Sequence, residues 1–486
     1  MDNSKQKSLD AIIWNLFEQY GNQFVSLFIG IILARLLTPN DYGLIGMISV
    51  FFLLSRVFVN GGFGLAYIQN QNADEKDAST IFYFNVAVSI LLYFCLWVAA
   101  PFIADFYDEQ ILISLTRVSA LVIIIDAFSM MQINMLAKAV KFKKKSIISI
   151  VSTLLSGLLG VYFALSGFKV WSLVVQNLSS SIFISLGLWW FYNWRPSLVF
   201  SKESLKKMFS FSSWLLFGDL TNTIFNNIYI FIIGKYFSSA ELGFYTKAKG
   251  YSGMIVQKTF SAIKIVSFPV FSGIQTNKEE LKSKMRKFLT STLFYIVPII
   301  AVLITIANPL IYFVLTEKWV PMVPFFQILL VTSLFFPIQI MNSQMLSAIG
   351  KAKLVFRVTI IRNVLRLLNV ILILKYGIMS LLVGELIVTL FTIFEVSSVT
   401  KKYIDYGALD QLKDLWKLYA SCMLSITIGY FSSLVFDSRE MILVAGGSIT
   451  LLIYFLSQYL INKKILIENI KLIKSKIFQF LPTIRL

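Results

Sequence analysis

The chain has 486 residues, of which 57% are hydrophobic and only 14% are charged, a composition typical of an integral membrane protein and not of a soluble enzyme. It has no histidine and only two cysteines, which removes the commonest general base, the commonest metal ligand and any disulfide framework. The formal net charge is +19, and because the basic residues cluster in the loops on one side of the predicted spans, it indicates membrane topology and not nucleic-acid binding.

The apolar runs predict fourteen membrane-spanning helices, since each run approaches the ~20 residues needed to cross a bilayer. Spans of this length must be helical because lipid offers no hydrogen-bonding partner to the backbone. The predicted spans cover residues 11–36, 42–67, 80–104, 113–137, 147–166, 170–193, 209–234, 242–272, 288–315, 321–349, 355–375, 378–400, 415–436 and 440–462. Beyond them, residues 464–486 combine apolar residues at helical spacing with lysines on the other faces. That pattern predicts an amphipathic helix on the inner leaflet, in contact with membrane lipids.

The basic residues lie mainly in alternate loops. With the N-terminus inside, the inner segments hold about 29 Lys and Arg. The outer loops hold little beyond Lys169, Lys235, Lys318, Lys375 and Arg439. This asymmetry predicts a multi-pass membrane protein with both termini in the cytoplasm.

The chain repeats itself at an offset of 200 residues. Identical residues recur in the pairs Trp14/Trp214, Leu16/Leu216, Phe17/Phe217, Asn22/Asn222, Ile32/Ile232 and Gly43/Gly243. Chemically similar residues recur in the pairs Arg35/Lys235, Thr38/Ser238 and Asp41/Glu241. Six predicted spans separate the two copies, so the repeat is parallel, and parallel repeats build transporters that bind substrate between two lobes.

The repeat predicts the domain organisation of an all-α polytopic membrane protein. We expect a six-helix lobe over residues 1–200, a second over residues 201–402, and a central cavity between them. Two additional transmembrane helices occupy residues 403–463 and the amphipathic cytoplasmic tail occupies residues 464–486.

Charged side chains inside the predicted spans are the first candidates for a substrate site, since charge within lipid is expensive and usually faces a cavity or a partner. Cations that converge from several helices suit a diphosphate, whose oxygens a guanidinium can bind in pairs. The candidate diphosphate contacts are Arg56, Lys247, Lys258, Lys264, Arg362 and Arg366. Under the repeat, Arg56 and Lys258 fall at nearly equivalent positions, so they are the principal pair.

A purely structural role is the alternative for these cations. The acids within the predicted spans could neutralise the cations one for one, and they are Glu18, Asp126, Asp219, Glu385 and Glu395. The same spans carry amide stripes that could bind the hydroxyl groups of a sugar, formed by Asn15, Asn22, Asn60, Asn222 and Asn226. Glu18 and Asp219 are candidate proton or sodium sites, with a role in holding two helices together as the alternative. We predict no catalytic residue, no metal site and no cofactor.

Several segments resemble one known family. Residues 33–47, LARLLTPNDYGLIGM, and residues 62–69, GFGLAYIQ, resemble the opening of bacterial polysaccharide exporters of the Wzx type. These O-antigen, teichuronic and colanic acid translocases belong to the multidrug/oligosaccharidyl-lipid/polysaccharide (MOP) superfamily. Shorter resemblances lie at residues 167–171, 269–272, 319–321 and 346–350. Residues 139–145, AVKFKKK, depart from the arginine-containing segment usual in the family, so no site is transferred from there.

The resemblance implies a fold and a function beyond what the residues alone indicate. Its members are similar in having two six-helix lobes around a V-shaped cavity lined by the first, second, seventh and eighth helices. They are flippases that move undecaprenyl-diphosphate-linked oligosaccharide units across the plasma membrane for surface polysaccharide, including the O-antigen of lipopolysaccharide. The implied partners are that lipid-linked glycan and the glycosyltransferase and polymerase of its pathway.

Two other functions stay open at this point. A cation-coupled exporter of drugs or small metabolites would share the fold but would have a net acidic cavity, whereas the acids and cations in the predicted spans roughly balance. A membrane-embedded glycan enzyme would need a catalytic acid, base or histidine near a large outer loop, and this chain has neither a histidine nor such a loop. We therefore expect a transporter and not an enzyme.

Overall fold

The computed structural model describes residues 3–436, 438–463 and 465–469. It describes their side chains except at residues 3–9, 11–12, 207, 210–211, 214 and 255–262. All regular structure in these ranges is helical, which confirms the predicted all-α class. Most of the predicted amphipathic tail lies outside the described residues, so it stays a prediction.

Residues 1–246 form one compact unit. Its helices are α1 (Asn3–Leu36), α2 (Pro39–Asn60), α3 (Phe63–Gln69), α4 (Glu75–Tyr107), α5 (Leu112–Ser119), α6 (Leu121–Lys138), α7 (Phe142–Leu165), α8 (Trp171–Phe191), α9 (Lys202–Tyr236) and the first turns of α10 (Ser239–Gly273). Helix α7 packs against α1 and α8, α2 packs against α9, and α4 packs against α6. One core cluster buries Phe63, Tyr67, Ile81, Phe82 and Met131.

Residues 247–486 form a second compact unit. It continues α10 and adds α11 (Lys278–Thr305), α12 (Ala307–Leu315), a 3₁₀ segment (Glu317–Met322), α13 (Val323–Ser333), α14 (Phe336–Ala348), α15 (Ala352–Ile373), a 3₁₀ turn (Leu374–Tyr376), α16 (Ile378–Ile404), α17 (Ala408–Ser433), α18 (Arg439–Met441), a π segment (Ile442–Gly446) and α19 (Gly447–Ile461). Helix α16 packs against α13, α14 and α15, while α17 and α19 pack against each other and against α11. The lobe boundary predicted at residue 200 stays a prediction.

Nine segments of the described residues are long and apolar enough to cross a membrane, which makes the chain a multi-pass membrane protein. They coincide with nine of the fourteen predicted spans. The other five predicted spans are helical over nearly the expected residues, in α1, α9, α10, α15 and α17, but their composition does not identify them as spans. Four of these five carry most of the candidate site residues. The count of fourteen is thus not established, because the polar side chains that suggest function also weaken the apolar signal.

The repeat at an offset of 200 residues appears as a repeated local structure. Helix α1 ends and α2 begins at a capping box in which the Thr38 backbone amide donates to Asp41 Oδ2 at 2.8 Å and the Asp41 amide donates to Thr38 Oγ1 at 3.3 Å. Helix α10 begins in the same way, with Ser238 N to Glu241 Oε2 at 3.0 Å and Glu241 N to Ser238 Oγ at 3.2 Å. A hydroxyl and an acid three residues apart satisfy the amides that a new helix leaves without partners.

Candidate functional site

Arg56 is a partly exposed cation on one of the nine apolar spans. Its Nη2 lies 2.9 Å from Oδ2 of Asp126 on α6. The Arg56 side chain is nevertheless 49% exposed and that of Asp126 is 29% exposed. A guanidinium held by one carboxylate keeps donors for a second acceptor, and phosphate oxygens match its geometry as well as carboxylate oxygens do. Arg56 therefore keeps guanidinium donors on its exposed side for an acceptor other than Asp126.

A set of exposed polar side chains lies on α2 and α9, which pack against each other. Besides Arg56 they are Asn60, Asp219, Asn222 and Asn226, and we call this set the α2–α9 polar surface. The two helices run antiparallel, because Gly62 lies near Ser212 while Met47 lies near Gly234. This register puts Arg56 at about the level of Asn222. A cation, an acid and several amides thus lie exposed on two packed helices of a membrane protein, a setting in which polar side chains are commonly functional.

The polar face of α1 packs against α7, so its side chains form interhelical bonds, in contrast to the exposed residues of the α2–α9 polar surface. Glu18 Oε1 lies 3.3 Å from Lys145 Nζ. Asn22 Nδ2 donates to Ser149 Oγ at 2.7 Å, and Asn22 Oδ1 accepts from Thr153 Oγ1 at 3.0 Å. These bonds tie two helices together, which is the structural alternative that the sequence left open for Glu18. Asn15 lies on the same face of α1 and is half-buried.

In the second unit the candidate cations have different environments. Arg366 Nε donates to both carboxylate oxygens of Glu385, at 2.9 and 3.1 Å, and the two side chains are only 14% and 10% exposed. Lys247 lies over the ring of Trp319 at 6.0 Å, while Lys264 is exposed. Lys258 belongs to α10, but its side chain lies outside the described residues.

The structural alternative, in which acids neutralise the intramembrane cations, applies to two pairs among the described side chains. Arg56 does pair with Asp126, and Arg366 with Glu385. Glu18, however, pairs with Lys145 at the start of α7. The reason is the packing of α1 on α7, which a count of charges along the chain does not reveal.

The starts of α2 and α10 meet in a close backbone contact. A Cβ built on Gly43 would stand 3.0 Å from Ser239 Cα and closer still to the Ser239 carbonyl, and a Cβ on Gly243 would likewise overlap the Pro39 carbonyl. Only glycine permits this approach from both sides. We call this the Gly43–Gly243 contact.

Polar bonds surround the Gly43–Gly243 contact. The Ser239 hydroxyl donates to Asn40 Oδ1 and lies 3.2 Å from Glu109 Oε1. Lys235 Nζ lies 3.2 Å from Asp108 Oδ2. The contact therefore combines close backbone-to-backbone packing with a few hydrogen bonds, and the buried side chains of Met47, Tyr107 and Leu242 lie beside it.

Sequence reasoning did not find this contact or the role of Asp126 as the partner of Arg56. The signal for the contact was present, since Gly43 and Gly243 recur at the offset of 200. A glycine retained in both copies at the start of a helix indicates close backbone approach. No comparable signal marks Asp126, because its proximity to Arg56 depends on how α6 packs beside α2.

Comparisons with known proteins agree with this architecture. Residues 32–324, more than half of the chain, match the model of a family described as "Polysaccharide biosynthesis protein", and the chain therefore belongs to that family. It is similar to teichuronic acid biosynthesis protein TuaB of Bacillus subtilis, with 29% identity over 63% of this chain and 63% of TuaB. It is also similar to lipopolysaccharide biosynthesis protein WzxC of Escherichia coli, with 22% identity over 62% of each chain. The aligned regions thus span less than two thirds of the length of these relatives.

Solved structures of low sequence identity show the fold. The lipid II flippase MurJ in an inward closed conformation has a TM-score of 0.73 and 15% identity, covering 94% of this chain and 100% of MurJ. An inward-facing multidrug resistance MATE transporter of the MOP superfamily has a TM-score of 0.61 and 16% identity, covering 84% of this chain and 98% of the transporter. The chain therefore shares the fold of these two structures, as the sequence resemblance implied.

Proposed function

We propose that this member of the polysaccharide biosynthesis protein family is a flippase, which moves undecaprenyl-diphosphate-linked oligosaccharide units across the bacterial plasma membrane. The observation that carries the proposal is the α2–α9 polar surface, an exposed cation and amides on the packed helices of a multi-pass membrane protein. A lipid-linked sugar diphosphate needs that combination, because its anionic group requires a cation and its sugars require hydrogen-bonding partners.

Arg56 is the proposed diphosphate contact. In the absence of substrate, Asp126 neutralises the guanidinium at 2.9 Å. When a diphosphate arrives, its oxygens take over the donors on the exposed side of Arg56 and can displace the carboxylate. Charge-assisted bonds from guanidinium to phosphate are about twice as strong as neutral hydrogen bonds, so an exchange between two anions of similar geometry costs little.

The amides of the α2–α9 polar surface are the proposed sugar contacts. Asn60, Asn222 and Asn226 are exposed, and an amide offers both a donor and an acceptor to a hydroxyl group. Asn22 is less suited, because both polar atoms of its amide already bond to α7. These residues would bind sugars of varied identity, since they recognise hydroxyl groups and carry no further specificity.

Alternating access would use the Gly43–Gly243 contact. In the predicted topology, α1 and α9 both run outward, so the starts of α2 and α10 lie at the outer face. A closed contact there would seal the outer face while substrate enters from the cytoplasm. Opening requires the loss of the hydrogen bond that the Ser239 hydroxyl donates, which contributes about 0.5–1.5 kcal/mol net, together with exposure of the apolar side chains beside it.

The membrane potential can drive the transport of an anion toward the positive outside. It contributes about 2.3 kcal/mol per charge for each 100 mV. A diphosphate group with two charges at a potential of about 100 mV would therefore gain about 4.6 kcal/mol if both charges crossed uncompensated. That gain is enough to make export directional without a coupled cation.

The function is tested by deleting the gene and measuring undecaprenyl-diphosphate-linked oligosaccharides by mass spectrometry, with the accessibility of the sugar on each membrane face. We expect a complete oligosaccharide unit to accumulate on the cytoplasmic face and to be cleared by the wild-type chain but not by Arg56→Gln. An unchanged pool and unchanged surface polysaccharide, in a strain without a second flippase, would refute the proposal and favour the small-molecule exporter.

A further inference from the structure

Helices α15 and α16 form an antiparallel pair, and their charged residues lie at successive heights, or levels, along it. At one level Arg366 binds Glu385 through both carboxylate oxygens. At another, Arg357 lies within electrostatic range of Glu395. The antiparallel register that pairs 366 with 385 and 357 with 395 sets Arg362 opposite residues near Thr389. Arg362 therefore lies between two acid-bearing levels and has no acid at its own.

A further cation from α10 approaches the same place. Lys249 interacts electrostatically with both Arg366 and Glu385, and Arg362 interacts with the same two groups. Among the described side chains, this cluster contains the cations Lys249, Arg362 and Arg366 and a single acid, Glu385. Its formal charge is about +2 if all three cations are protonated.

Within this cluster, the Arg362 guanidinium has a buried donor that lacks an acceptor in the described part of the chain. Its Nε atom is buried and donates no hydrogen bond to a described residue. A buried donor without an acceptor costs about 1–3 kcal/mol, and more when the group is charged. An anion that supplies an acceptor for Arg362 Nε would remove this cost.

We propose that Lys249 and Arg362 form an anion-binding site for a phosphate-class group, with Arg366 as a positioning residue fixed by Glu385. Arg366 donates from Nε and Nη2 to the Glu385 carboxylate, so it is fixed in position and adds positive charge to the cluster. Arg362 offers the planar donors and Lys249 offers a point charge, a combination that suits diphosphate oxygens.

Two sources can supply such an anion. One is the diphosphate of a polyprenyl-linked sugar, and this source rests on the function proposed above. The other is a free inorganic anion that enters from water and serves as a counter-ion during transport. Both have the same oxygen chemistry, so the residues alone do not distinguish them.

The test is binding to the full chain in nanodiscs, with inorganic pyrophosphate and farnesyl diphosphate as separate probes. For at least one probe, we expect Arg362→Gln and Lys249→Gln each to weaken binding at least tenfold, and Arg362→Lys to weaken it by less. Arg439→Gln is the matched control, because it removes the same charge from a guanidinium that lies over the Tyr312 ring at 3.8 Å in the same unit. Each variant is first checked for an unchanged elution profile and melting temperature.

The outcomes separate the alternatives. Weakened binding of farnesyl diphosphate supports the site with a lipid-linked source, and weakened binding of pyrophosphate alone supports it with a free anion as the source. Equal binding by the wild type, Arg362→Lys and Arg362→Gln to both probes would overturn the proposal, as would an absence of binding to the wild type. Neither probe carries a sugar and no transport is measured, so this failure is independent of the lipid-linked oligosaccharide pool that tests the flippase.

Discussion

Replacing Gly43 by alanine should open the Gly43–Gly243 contact. The added Cβ would stand 3.0 Å from Ser239 Cα and closer to the Ser239 carbonyl, whereas carbon atoms in contact prefer about 3.5–4.0 Å. The starts of α2 and α10 would have to separate by about 0.5–1 Å or more. Such a shift breaks or weakens the bonds of the Ser239 hydroxyl to Asn40 and Glu109.

The magnitude follows from those bonds. The single Ser239 hydroxyl proton forms one such bond at a time, which contributes about 0.5–1.5 kcal/mol net, so its loss shifts the equilibrium between closed and open contact by roughly 2–10-fold. Leu242 is a suitable reporter because it is fully buried and lies beside Gly46 and Gly234, directly next to the contact. We expect Leu242→Cys to react with a membrane-impermeant maleimide at least about twofold faster when Gly43→Ala is present.

The assay uses intact cells and a background in which Cys95 and Cys422 are replaced by serine. Gly218→Ala is the matched control, since a Cβ there meets nothing within 4 Å. Gly243→Ala should behave like Gly43→Ala, because the overlap is reciprocal. Equal labelling rates in Gly43→Ala and Gly218→Ala, at equal protein levels, would refute the idea that this contact closes the outer face.

Three further changes test individual side chains. Arg56→Gln should lower export at least tenfold. Combining Arg56→Asp with Asp126→Arg should restore the ion pair but not export. Recovery of export in this double variant would show that the pair is only structural. Glu385→Gln should lower the free energy of unfolding by about 3 kcal/mol, because it leaves the Arg366 charge poorly compensated in a largely buried position. Replacing both Glu385 and Arg366 by leucine should lower it much less. Equal decreases in the single and the double variant, measured by thermal unfolding, would contradict this reasoning. Asn22→Ala should lower the free energy of unfolding by about 1 kcal/mol, since it removes two interhelical hydrogen bonds of about 0.6 kcal/mol each, and export should be retained. A loss of export at unchanged stability would instead show that Asn22 contacts the sugars.

The sequence alone predicted the class of protein and its repeated plan. Apolar runs of bilayer length require helices, and nine of the fourteen predicted spans are recognisable as such in the structure. The recurrence of Thr38/Ser238 and Asp41/Glu241 predicted equivalent local chemistry, and both pairs form capping boxes. These features depend on residues close together in the chain, so the local pattern is sufficient to predict them.

Only the tertiary structure decided which polar residues are partners and which are open to a ligand. Glu18 and Asn22 looked like equals of Asp219 and Asn222, yet the first two are bonded to α7 while the second two are exposed. Lys249 was not among the candidate cations drawn from the sequence, yet in the structure it interacts electrostatically with Arg366 and Glu385. The reason is that the position of a side chain on its own helix follows from periodicity, whereas its partner lies on a helix that is distant in the chain and is fixed only by packing.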